Sequence, residues 1–130
     1  VAIPTIDRVV IKFIKHETQR YPTCGDWELF GKSLIISVSR MEDVRHMLLV
    51  AIHELEEALI CFHQGVTQEQ VDEFDIQFEA KREEGNNEEP GGDPQAPYYD
   101  AHQFASRHEK ELAKKLEVDW ETYEAEINAL

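Results

Sequence analysis

The chain of 130 residues is poor in basic residues, cysteines and long apolar runs. Against 27 acidic residues stand only 13 basic ones, a formal charge of −14, and a field of that sign repels phosphate backbones and anionic lipid headgroups. Neither nucleic acid nor a membrane surface is an expected partner. Cys24 lies beside a glycine turn and Cys61 on an apolar helical stretch, which is neither a disulfide framework nor a zinc ribbon and points to a reducing compartment. No segment approaches the roughly 20 apolar residues that span a bilayer. The first residues show no basic region followed by an apolar core, so the expected location is the cytoplasm.

What the chain does have is enough length for one core, and residues 1–130 read as a single domain. Ile6, Val9, Val10, Phe13 and Ile14 recur at helical intervals, predicting an amphipathic helix over about 5–20. Around Gly31, residues 27–30 and 32–38 are rich in aromatic and β-branched side chains and predict a small hairpin or two short strands. Ser39-Arg40-Met41-Glu42 has the form of a capping box, opening a helix to about Gln64, where Gly65 can take the left-handed conformation. Val44, Leu48, Ala51, Ile52, Leu55, Leu59 and Phe62 are its expected buried face, widened by Met47, Val50 and Ile60.

A second capping box, Thr67-Gln68-Glu69-Gln70, opens a shorter helix with Val71, Phe74 and Phe78 on one side. Residues 85–97 hold three glycines and three prolines among acids and asparagines, the composition of a flexible acidic loop. Helical spacing resumes at Phe104, Ala105, Leu112 and Leu116, and Asp119 can cap a last helix bearing Trp120, Tyr123 and Ile127. The expected fold class is α+β: a small sheet or hairpin packed on a long central helix with supporting helices.

The chemistry concentrates in His53-Glu54-Leu55-Glu56-Glu57, in the middle of that helix. His53 and Glu57 are one turn apart and about 40° out of line, so their side chains converge on one point. Imidazole nitrogen and carboxylate oxygen both suit Zn²⁺, which in catalytic sites takes three protein ligands and keeps one position open. Glu54 lies about 100° around the helix from His53. It is placed to act as general base on water acidified by the zinc. Glu56, about 60° to the other side, competes for a supporting or weaker ligand role.

A strand at 34–38 followed within a few residues by a helix carrying His-Glu-x-x-Glu resembles the zincin metallopeptidases, specifically the compact ImmA/IrrE type of phage, plasmid and stress-response settings. The resemblance covers 34–64, and more weakly 98–114. It implies a minimal zincin-like domain, a peptide or protein substrate bound along an edge strand before the active helix, His53 and Glu57 as zinc ligands, and Glu54 as base. In that family the second ligand is normally His, and the third is a Glu on a later helix, a few residues before a Phe-Ala pair. If Phe104-Ala105 is that pair, the Glu position falls on Tyr98, and His102 is the nearest usable ligand. The implied set is a swap, Glu57 for His and His102 for Glu, which keeps two nitrogens and one carboxylate.

Two other readings compete. Glu54, Glu57, Glu69 and Asp72 resemble the acidic pattern of MazG-type nucleotide pyrophosphohydrolases, which hold Mg²⁺ with oxygen ligands; His53 and the preceding hairpin fit that all-helical family poorly. The other is a catalytically silent metal-binding interaction protein. His46, two turns before His53, is placed to contact a substrate, and Cys61 reads as a small buried hydrophobe.

Overall fold

The computed structural model describes residues 3–130. Among the described residues three strands form a mixed sheet in the order β1-β3-β2, with β1 Arg8–Ile14, β2 Gly25–Phe30 and β3 Ser33–Ser39, and four helices follow, α1 Val44–Gln64, α2 Gln68–Ala80, α3 Tyr99–Lys115 and α4 Trp120–Asn128. Short 3₁₀ turns lie at His16–Thr18 and Pro90–Gly92. The fold is α+β, as the sequence led us to expect. Among the described residues no helix is long and apolar enough to cross a membrane.

The N-terminal segment corrects the sequence reading. Instead of a helix over 5–20 there is strand β1, paired in parallel with β3 from Arg8↔Ser33 to Ile14↔Ser39. Five of its seven residues are Val, Ile or Phe, types that lose side-chain freedom in a helix and fit a pleated surface. The apolar positions satisfy a period of 3.6 on paper, but the partner strand decides the outcome. The hairpin of β2 and β3 stands as expected, with Gly31 at φ +59° in the turn.

Leu34, Ile36 and Val38 alternate onto the inner face of β3 and are almost completely buried. Burying each such side chain contributes roughly 1.5–3 kcal/mol. Helix α1 lies on this face, over β2 and β3, and α3 packs along the other side of α1.

Helix α1 starts later than the Ser39 capping box suggested. Ser39 closes β3 and is buried, its Oγ 2.8 Å from His16 Nδ1, while Asp43 caps the helix by accepting from the Arg45 N–H at 2.9 Å. At the other end Gly65 adopts φ +76° as predicted, and the Thr67–Gln70 capping box is complete. The buried face of α1 is also rotated from the expected stripe: Val50, Ala51, Cys61 and Phe62 are buried as expected, but Val44, Leu48 and Leu59 are exposed and His46, Leu49, His53 and Glu57 are buried. The helix is clamped between sheet and α3, so its polar residues, not only its aliphatic ones, face the interior.

Candidate metal centre

His53 and Glu57 on α1 and His102 on α3 meet in the interface of the two helices, all three buried. Glu57 Oε2 lies 3.1 Å from His53 Nε2 and 3.1 Å from His102 Nδ1. The two ring nitrogens are themselves 3.2 Å apart. Among the described residues this is the group of His, Cys, Asp and Glu side chains close enough together to hold a metal ion. The three residues singled out as ligands from the sequence are thus brought to one point.

The outward ring nitrogens decide what the inward atoms are. His53 Nδ1 lies 2.7 Å from Glu109 Oε1, and His102 Nε2 lies 2.8 Å from Glu89 Oε2. An ionised carboxylate only accepts, so each of these nitrogens carries the proton and donates. In the neutral rings the inward atoms, His53 Nε2 and His102 Nδ1, are then unprotonated lone pairs aimed at the Glu57 carboxylate.

Three electron-rich atoms this close in a buried site require a cation between them, either protons or a metal ion. Without metal, burial works against charge on His53, but hydrogen bonds to Glu109 and Glu57 outweigh it and hold its pKa well above the ordinary value. The same opposition leaves His102 raised to about 9, through Glu57 and Glu89. Glu57 is held at about 2, burial being overcome by His102 and His53. These are groups that stay charged in pairs until something replaces the protons.

A metal ion fits the donor set. A tetrahedral ion with bonds of about 2.0–2.2 Å spaces its ligand atoms about 3.3–3.6 Å apart. Three adjacent positions on an octahedral ion at about 2.1 Å lie about 3.0 Å apart. The observed separations of 3.1–3.2 Å fall between these limits. Carboxylates behind both histidines are also the usual way metal-binding imidazoles are oriented.

Glu54 projects from α1 over β2, so near Gly25 that a Cβ placed there would come within 2.9 Å of its Cγ. It is half-buried, and its pKa is raised well above the carboxylate range by burial first and by Glu57 second. With His53, Glu57 and His102 it lines a cleft of about 640 Å³, whose walls include Tyr21, Cys24, Asp75 and Lys110. A carboxyl that holds a proton readily, beside a cation site in a cleft, is the arrangement a general base or acid requires.

Other assignments move. The strand preceding the helix, β3, is central rather than an edge; the edge strand that lines the cleft is β2. Glu56 pairs with His108 at 3.1 Å, on the α1 and α3 surface, and does not support the site. His46 is buried with Nδ1 2.5 Å from Glu126 Oε1, where it joins α4 to the start of α1. Tyr98 donates its hydroxyl to Asp75. Glu69 is exposed and Asp72 is held by Arg20 at 2.9 Å, so the oxygen-only set of Glu54, Glu57, Glu69 and Asp72 is not assembled.

Glu109 and Glu89 were missed in the sequence. Glu109 is seven residues beyond His102 on α3, about 20° from it around the helix, so spacing alone put both on the α1 side. Glu89 lies in a loop without periodicity and carried no such signal. Comparison of the chain with protein-family models, curated proteins and solved structures found no match.

Proposed function

We propose that the chain is a zinc-dependent hydrolase of metallopeptidase type, acting on peptides or proteins in the cytoplasm and resembling the compact zincins of phage and mobile elements. The observation that carries the reading is the buried triangle of His53 Nε2, Glu57 Oε2 and His102 Nδ1 with Glu54 in the adjoining cleft. When bound, zinc supplies Lewis acidity and makes water more acidic. His53, Glu57 and His102 hold the ion, and Glu109 and Glu89 keep the two rings in the ligating tautomer.

Glu54 accepts the proton of the attacking water at its carboxylate and returns it to the departing amine. The formal charge of −14 favours basic peptides as substrates. Two nitrogens and one carboxylate also serve iron(II) in oxygenases.

Elemental analysis of the purified chain separates these readings. One equivalent of zinc, lost in both His53→Ala and His102→Ala and kept in Glu54→Gln, is the expected result. Cleavage of a pool of labelled lysine- and arginine-rich peptides is expected to vanish in Glu54→Gln. Stoichiometric iron, or zinc retained by His102→Ala, overturns the proposal.

A further inference from the structure

Behind His102 lies a segment whose role deepens, and rests on, the metal reading. We propose that residues 82–92 act as a strap whose Glu89 and Gly91 position the His102 ring, and that the strap sets how tightly and for how long the centre keeps its ion.

Three features of the segment converge on this role. Glu89 Oε2 accepts from His102 Nε2–H at 2.8 Å, which leaves Nδ1 as the lone pair directed at Glu57 and His53. Gly91 lies against the same ring: a Cβ there would fall 2.4 Å from His102 Cγ and 2.5 Å from Nδ1. Only glycine lets the chain approach this closely, and any side chain displaces the ligating atom. Arg82 then fastens the segment to α2, donating to the carbonyls of Asn86 at 2.5 Å and Glu88 at 2.7 Å while paired with Glu79 at 2.7 Å.

The two histidines are therefore supported in unlike ways. Glu109, behind His53, sits on α3 with its side chain 13% exposed and is locked by the Tyr123 hydroxyl at 2.5 Å. Glu89 comes from a loop, and its side chain is 62% exposed. His53 is the fixed side of the centre and His102 the releasable side. Release of Glu89 frees the His102 ring to turn, and the ion loses one of its three protein ligands.

The test is zinc affinity and release rate on the full chain, read by competition with a chromophoric chelator, together with the Co²⁺ absorption spectrum. Glu89→Ala is expected to weaken zinc binding about 10–100-fold and to speed release, whereas Glu89→Gln, which keeps an acceptor oxygen, recovers most of the affinity. Gly91→Ala is expected to change the Co²⁺ spectrum, a readout of ligand geometry that loss of stability alone does not move. Should Gly91→Ala fail to fold, the exposed Glu89 substitutions carry the test. Wild-type uptake with Glu89→Ala within twofold in affinity and release rate overturns the strap alone; a wild-type chain that takes up neither metal overturns the metal reading with it.

Discussion

Asp75 on α2 is a buried carboxyl facing two tyrosines: Tyr21 donates to Oδ2 at 2.9 Å, and Tyr98 donates to Oδ1. Burial pushes its pKa up to about 7 from 3.8, further than the two hydroxyls pull it down. A carboxyl whose pKa is raised on folding stabilises the protein fully below its unfolded pKa, and that stabilisation is lost as pH rises through the folded one. The window runs from about pH 4 to about pH 7. Three pH units at about 1.4 kcal/mol each give a loss of about 4 kcal/mol.

Asp75→Asn removes the titrating group and keeps an oxygen for one tyrosine. Denaturant unfolding of both proteins in a metal chelator, from pH 4.5 to 8.5, reads the difference directly. The wild type is expected to lose stability relative to Asp75→Asn by several kcal/mol across that range, with most of the change below pH 7. Histidines shared by the two proteins cancel in the comparison. Two curves that run parallel at all pH values would mean that Asp75 ionises normally inside the fold, contrary to its burial.

Arg20 joins Asp26 at 2.8 Å to Asp72 at 2.9 Å, with Asp26 only 4% exposed and Arg20 34%. Arg20→Ala is expected to cost about 2 kcal/mol in unfolding experiments, below the ~3–5 kcal/mol of a fully buried pair because Arg20 is partly solvated; adding Asp26→Asn should recover part of the loss, and a change under about 0.5 kcal/mol would contradict the burial of Asp26. At Gly25 a Cβ would meet Val50 Cγ1 at 2.6 Å and Glu54 Cγ at 2.9 Å. Gly25→Ala is expected to lose about 1–3 kcal/mol by overpacking while leaving metal uptake at the wild-type level, since a Cβ there does not meet His53, Glu57 or His102; calorimetry and elemental analysis check both halves.

The central helix, the hairpin and the last three helices were legible because each carries local signals: an apolar period, Gly65, the Thr67–Gln70 box, and Asp119, which accepts from the Thr122 N–H at 3.0 Å. Strand β1 was not, because its partner lies 25 residues on and a short apolar run satisfies two periods at once. The orientation of α1 was hidden for a related reason. A helix clamped between sheet and α3 buries His53 and Glu57 while leaving Leu48 and Leu59 in solvent, and hydrophobicity alone rotates it the wrong way. His53 and Glu57 were readable from residue type and spacing, whereas His102 was reached only through the family resemblance, and their meeting depends on the α1 and α3 packing.

The claim at the centre is that two imidazoles and one carboxylate close on a single ion. X-ray absorption at the zinc edge of the metal-loaded chain reads that directly. Two histidine ligands and light-atom distances of about 2.0–2.2 Å are expected, with no zinc bound by His102→Ala. A spectrum showing a single imidazole, or zinc still bound by His102→Ala, would contradict a two-histidine centre.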